Sequence, residues 1–468
     1  MKQEFLKRKK VINKVVHIVG GGLAGSEAAW QALQMGASVM LYEMRPKQLT
    51  PAHKTGDLAE LVCSNSLKSL DQYSVPGMLK QEMASFKSLV ISAAFKAQVP
   101  AGSALAVDRA LFSKEISSQL NAHPRFKRVD QEVLVIPSEE DLARKDECMI
   151  IASGPLTSSG LAEEIKKLCG GDERLYFYDA IAPVLAAESL DWDHCFRADR
   201  YGKGDGDYVN LPLSKEQYEA FLADVREAEK VPLHSFEKVD YFESCLPIEV
   251  MVERGPETLR FGPLKPVGLI DPRTGKQPYA CIQLRMENAQ GSMYSMVGFQ
   301  TKMKWPEQKR VFSKIPALRG VEFLRFGSVH RNTYVQSPKV LNPNLSFKNN
   351  KRVFLAGQIT GVEGYTESAA MGLIAGRAGA ALLGLKPFIL PPETSVMGAL
   401  LNYVSFGCKG KFAPMNANFG LLPTVEKKRG MSKKDKKQMQ SLKCQQAFAS
   451  YLQDTQNGPI ASSGVGLD

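Results

Sequence analysis

Two thiols in this 468-residue sequence stand where a cysteine can do chemistry. Cys63 is followed by Ser64-Asn65-Ser66, residues that cap helices well, so it is expected to open a helical turn. Cys245 precedes Leu246-Pro247-Ile248-Glu249-Val250-Met251-Val252-Glu253-Arg254-Gly255. Proline favours a first helical position and glycine the residue past the end, which predicts a helix starting directly after Cys245. A helix N-terminus stabilises a thiolate and lowers a thiol from its usual pKa of about 8.5, so either sulfur can serve as a nucleophile. On position alone, each fits somewhat better the plainer role of a small buried hydrophobe. Cys148, Cys169, Cys195, Cys281, Cys408 and Cys444 have no comparable setting.

The elements that must position these thiols start with Val15 to Arg45. An apolar strand (Val15 to Val19) runs into the turn Gly20-Gly21-Gly22-Leu23-Ala24-Gly25, then a helix to Met35, a stop at Gly36 and a second strand ending on Glu43. Gly20-x-Gly22-x-x-Gly25 is the dinucleotide-binding spacing: one glycine for the tight turn, one for backbone approach to a pyrophosphate, one for close helix–strand packing. The helix N-terminus offers N–H groups and a positive dipole end to the phosphates. Glu43, at the second strand's tip, suits a ribose hydroxyl pair. Further on, Cys148 to Ala152 reads as a buried strand ending in Ser153-Gly154-Pro155, and Val129 to Ile136 as an alternating one. Helices are expected over Met78 to Leu89 and from Asp108 onward. The strand Arg352 to Ala356 leads into a second glycine loop with Gly357, Gly361 and Gly364, followed by an Ala/Gly-rich helix. Such a loop closes a nucleotide fold over the isoalloxazine end of a flavin dinucleotide, its N–H groups facing the pyrimidine edge.

The fold class is therefore α/β: a Rossmann-like, glutathione-reductase-like FAD-binding domain with an inserted α+β domain. Residues 14–185 and 330–390 form the discontinuous FAD-binding domain and 186–329, rich in short aromatic and β-branched runs, the insert. Residues 1–13 read as a flexible basic lead and 391–468 as a loop-and-helix region with a basic tail. The formal net charge of +11 and pI near 9.1 invite an anionic partner, nucleic acid before membrane. The lysines at 427–428 and 433–437 suit RNA phosphates, or simply a solvated face or frayed tail. Eight cysteines without paired spacing argue for reduced thiols in a cytoplasm. No CxxC or HExxH spacing calls for a metal, and Asp191, Asp193, His194 and Cys195 read as an ordinary short loop. The run Ala369 to Leu385, interrupted by Arg377, reads as a packed helix and not a membrane span, and no signal peptide is expected.

A thiolate beside a reduced flavin suggests two chemistries. Dithiol exchange needs a close CxxxxC-like pair, which is absent. Pyrimidine alkylation needs a thiolate to add to C6 of uracil, so that C5 becomes a carbon nucleophile; C5 takes up a one-carbon unit, a base removes its proton and a hydride completes the methyl group.

The motifs Gly20 to Ala29, Tyr42-Glu43-Met44-Arg45-Pro46, Leu61-Val62-Cys63-Ser64-Asn65-Ser66-Leu67, Ile151 to Ser158, Cys245 to Met251, Gly262 to Leu269, His330-Arg331-Asn332-Thr333, Ala356 to Ser368 and Pro414 to Gly420 carry a resemblance along nearly the whole chain. The sequence resembles the bacterial folate- and FAD-dependent tRNA uracil-5-methyltransferases, the TrmFO family, relatives of the GidA/MnmG flavoproteins. GidA-type proteins have His and Cys where this chain has Leu23 and Ser26, and are longer at the C-terminus. The resemblance implies methylation of the T-loop uridine of tRNA, position 54, in the T-arm. Methylenetetrahydrofolate would give the carbon, and NAD(P)H would reduce the FAD that supplies the hydride. It implicates Cys63 and Cys245, one as nucleophile on C6 and the other as partner or base, in either order. It likewise places Arg45 and Gly154 with the cofactor-binding residues. A route in which flavin N5 carries the methylene stays open, as do an rRNA uridine or the tRNA wobble uridine as target. His330, Arg331 and Lys265 are candidates for the folate tail. Ser153 stands where the family usually has Thr.

Overall fold

The computed structural model describes residues 14–171, 174–202, 204–231, 246–407, 412–426 and 431–456; the side chains of 174–181, 329–332, 433 and 456 also lie outside the description. Cys245, Cys408, the 1–13 lead and Lys427-Lys428-Arg429 fall outside the described residues.

The apolar run Val15–Val19 becomes the centre of a six-stranded sheet ordered Ser346–Phe347, Asn350–Leu355, Glu147–Ile151, Val15–Val19, Ser38–Glu43, Phe126–Asp130. All pairs are parallel except the first, which is antiparallel. Strands covered on both faces must be apolar, and Val16, Ile18, Val39, Leu41, Ile150 and Phe354 are each buried. From Val15–Val19 the chain first adds Ser38–Glu43 and Phe126–Asp130 on one side, then Glu147–Ile151 and Asn350–Leu355 on the other. Such a switch point leaves a crevice outside the strands' carboxyl ends. Along one face, the helix Leu23–Met35 crosses the helix Tyr365–Leu382 so closely that a Cβ on Gly372 or Gly376 would overlap the Ala24 or Ala28 carbonyl oxygen.

A second six-stranded sheet is wholly antiparallel: Phe196–Arg197, Val209–Leu213, Ala280–Met286, Met293–Met296, Val184–Ala186, Phe323–Arg325. It has its own core, including Leu211, Ile282, Tyr294, Phe299 and Phe312. The chain enters and leaves this half through an antiparallel ribbon of Arg174–Ile181 and Ser328–Val335. Among the described residues no helix is long and apolar enough to cross a membrane.

Three local expectations shift. The strand expected over Val129 to Ile136 runs from Phe126 to Asp130 instead, because its only ladder partner, Ser38–Glu43, ends opposite Asp130. The helix expected over Met78 to Leu89 spans Val75–Ser85, with Ser74 as its cap and Pro76 in the first turn, where a missing N–H costs nothing. Cys63 opens no helix: Ser64-Asn65-Ser66 leads into the short strand Ser66–Ser69. Asn65 is fully buried and its amide donates to the Val107 and Met286 carbonyls (3.0 and 2.8 Å), so it joins the two halves instead of capping a turn.

The C-terminal region is tied on through a buried carboxylate. Glu82 accepts from the Val396 and Met397 N–H groups (2.8 and 2.7 Å) at the start of the helix Val396–Phe406. Burial pushes its pKa up to about 8 from an ordinary 4.5, against the pull of those two donors. A folded-state value raised above the unfolded one gives stability that is complete below about 4.5 and is lost as pH rises through about 8. Urea denaturation across that window should show the wild type weakening relative to Glu82→Gln as pH rises. Parallel profiles would show that the carboxyl does not titrate with folding.

Candidate active site

The glycine turn meets each requirement of its spacing. Gly20 has φ +102°, and a Cβ there would sit 2.5 Å from the Ala152 oxygen. A Cβ on Gly25 would overlap the Gly20 oxygen, so the helix seats directly on the strand end. At Gly22 nothing lies within 4 Å of that position. Gly22 is also the N-cap of Leu23–Met35 and no side chain caps it, leaving the helix's positive end open to the crevice. Gly21 donates its N–H to the Glu43 carboxylate at 2.8 Å.

Gly20, Gly22, Leu23, Ala24, Glu43, Arg45, Gly154 and Gly357 all line one open cleft at the strand tips. Gly21, Gly25, Gly361 and Gly364 do not line it. Glu43 also accepts from the Arg45 N–H (3.1 Å) and guanidinium (2.9 Å). Burial pushes its carboxyl up, but Arg45 and the two N–H groups outweigh this and hold it below the usual range, so it is ionised. Arg45 is itself buried between Glu43 and Glu60. It orients the carboxylate from the side.

The opposite wall is Ser153-Gly154, with Gly154 at φ +70° and open space at its Cβ position. Gly357 (φ +83°) brings the second loop against the first: its Cβ would lie 2.7 Å from that of Ala24. Gly361 (φ +89°) packs on Phe412, and Gly364 (φ +115°) is the N-cap of Tyr365–Leu382, also without a side-chain cap. A dinucleotide fits this surface. Its phosphates would meet the open Gly22 edge and helix end, its ribose the Glu43 carboxylate, and its ring system the second glycine loop.

Cys63 is half-buried at the edge of this cleft, which its neighbour Val62 and Tyr365 both line. Its segment is held by groups far away in sequence. Tyr365 Oη accepts from the Cys63 and Ser64 N–H groups (2.8 and 2.9 Å). Arg109 donates to the Leu61 carbonyl (2.7 Å) and Arg325 to that of Val62 (3.0 Å). Arg285 donates to Ser64 Oγ and Asn65 Oδ1, each at 2.8 Å. Glu287 pairs with Arg109 at 2.6 Å. Burial pulls Arg325 down to about 10, and neighbouring Arg109 adds to the shift. Burial pushes the Tyr365 phenol up, reinforced by Cys63, so it stays protonated. Three guanidinium groups bond the segment directly, one of them paired with a carboxylate.

Sequence reasoning missed Tyr365, Arg109, Arg285, Arg325 and Glu287; the one signal for Tyr365 was its place directly after Gly364. Beyond Cys245, the helix Ile248–Arg254 begins with Pro247 as N-cap, not as first helical residue. His330 and Arg331 lie in the connecting ribbon opposite Asp179 and Tyr178, with their side chains outside the description. Lys265 is exposed on a loop and does not line the cleft.

Parallel sheet, glycine-lined switch-point cleft and inserted antiparallel sheet define a Rossmann-like FAD-binding protein. The same fold is seen in Aquifex aeolicus GidA: its form II crystal structure matches with TM-score 0.66 at 16% identity over 94% of this chain and 74% of that one. Its form I structure gives 0.63 at 16% identity over 85% and 70%. A family model described as "Glucose inhibited division protein A" matches residues 15–386. Among curated relatives, the methylenetetrahydrofolate–tRNA-(uracil-5-)-methyltransferase TrmFO of Aquifex aeolicus is 54% identical over 91% of this chain and 93% of its own. Those of Geobacter sulfurreducens (52%; 90% and 95%) and Desulforudis audaxviator (49%; 95% and 99%) are similar. The chain belongs to the GidA family, in its TrmFO branch.

Proposed function

We propose that this protein methylates C5 of the T-loop uridine of tRNA, with carbon from methylenetetrahydrofolate and NAD(P)H as reductant. The observation that carries the reading is the Cys63 segment held by Tyr365, which with Val62 lines the dinucleotide cleft. Bound in that cleft, FAD would supply the hydride that completes the methyl group.

The chain's own residues do the rest. One thiolate, of Cys245 or Cys63, adds to C6 of the uracil, and the pair of electrons released reaches O4 through C5. The guanidinium charge of Arg109, Arg285 and Arg325 stabilises that developing oxyanion. C5 then bonds the incoming methylene carbon. The second cysteine takes the C5 proton, and the C5–H electron pair forms an exocyclic C5=CH2 as that carbon's bond to the folate nitrogen breaks, the nitrogen keeping its pair; hydride added to the exocyclic carbon would shift the π pair to C5=C6 and expel the first sulfur, restoring the ring. Residues 14–185 and 330–390 hold the cofactor in this division of labour, while 186–329 contributes Arg285 and Arg325.

The curated relatives' shared name supports tRNA and folate. The test is transfer of labelled carbon from methylenetetrahydrofolate to a tRNA transcript. Label should enter the intact transcript and vanish when the T-loop uridine becomes cytidine. Undiminished labelling of the altered transcript would move the target to another base, the wobble uridine first.

A further inference from the structure

The helix Lys433–Gln456 is fastened along its length. Gln440 donates to the Phe419, Leu422 and Pro423 carbonyls (3.1, 3.2 and 3.0 Å), Ser441 to Tyr73 O (2.7 Å) and Tyr451 to Ile389 O (2.6 Å). Its basic start, residues 433–437, lies within two turns of the first of these anchors.

Lys434 and Lys437 are exposed and Lys436 half-exposed. The only acid in the first turn, Asp435, has its carboxylate bonded to the Ser432 N–H and hydroxyl (3.2 and 2.7 Å). Lysines at a helix N-terminus add to the positive end of the helix dipole, an arrangement that opposes helix formation and that a polyanion relieves. The surface also has a direction. Lys437 Nζ lies 5.3 Å from the Phe419 ring centroid. Four residues before Phe419, Met415 donates its N–H to Gly361 O (3.0 Å) and accepts from Glu363 N–H (2.9 Å). Ala417 N–H donates to Glu367 at 3.3 Å. Phe419, beside Lys437, thus lies four residues along the chain from a segment hydrogen-bonded to the second glycine loop.

We propose that Lys434, Lys436 and Lys437, with Phe419 beside them, form a track for the sugar–phosphate backbone of the substrate RNA leading to the cleft. This rests on the tRNA reading above and adds the surface that holds the RNA.

The test is binding of tRNA by the flavin-loaded protein between about 50 and about 300 mM salt, for wild type and the triple variant K434A/K436A/K437A. Each lost phosphate contact lowers the log–log salt slope by about 0.9, so the variant should lose about 2 to 3 in slope and bind roughly 10-fold to 100-fold more weakly near physiological salt. Changing the three lysines to arginine should restore the slope, and NADH-driven flavin reduction without RNA should match wild type. An unaltered slope and affinity in the alanine variant would overturn the assignment. Methylation of the same tRNA by wild type is read separately: its absence would count against the tRNA-methylation reading, while the slope alone decides the surface.

Discussion

Cys63→Ala should lower methylation of tRNA by about 10²-fold to 10⁴-fold, the range for loss of a positioned proton-transfer group, and by at least as much if Cys63 is the nucleophile. Flavin content should be unchanged. The segment is fixed through backbone groups: the Cys63 and Ser64 N–H groups on Tyr365, and the Leu61 and Val62 carbonyls on Arg109 and Arg325. Alanine keeps every one of these bonds and removes only the sulfur. Activity and flavin absorbance should therefore separate cleanly. A variant with more than about a tenth of wild-type activity would exclude Cys63 from the chemistry.

The second large effect is expected at Arg45. Its side chain is 2% exposed and bridges Glu43 at 2.9 Å and Glu60 at 3.1 Å. Arg45→Ala leaves the buried Glu43 carboxylate and the partly buried Glu60 without their cation, a loss of about 3–5 kcal/mol. At about 2.1 cal/mol/K of unfolding entropy per residue, that lowers the melting temperature of a 468-residue chain by roughly 3 to 5 °C. The Glu43 carboxyl, freed from Arg45, should also move up in pKa and turn from the ribose position, so the protein should purify with little flavin. Arg45→Lys keeps one charge but cannot serve both carboxylates with a planar fork, and should fall between. A variant that melts within about 2 °C of wild type and keeps its flavin would show that Glu43 needs no such support.

How much was legible in the sequence follows the distance over which each feature is encoded. The Gly20-x-Gly22-x-x-Gly25 turn and the Glu43 tip are written within one βαβ unit, so spacing alone yields them. Gly357 was readable from the glycine loop that follows an apolar strand, and Gly154 through the family resemblance. Asn65 carried a misleading local signal: a good capping residue by type, it is spent on Val107 and Met286 across the molecule. The Phe126–Asp130 strand is bounded by where its neighbour stops, which alternation beyond Asp130 does not reveal. The Cys63 clamp had no local signature at all. Arg285 and Arg325 come from the antiparallel sheet and Tyr365 from the second glycine loop, and only the closed fold brings them to one segment.

The most direct measurement is carbon transfer from labelled methylenetetrahydrofolate into tRNA by wild type and Cys63→Ala, both loaded with flavin and supplied with NAD(P)H. Label in the T-loop uridine with wild type, and next to none with the variant at equal flavin content, is the predicted result. Equal labelling by the two proteins would contradict a site in which this thiol and the cofactor cleft act on one uracil.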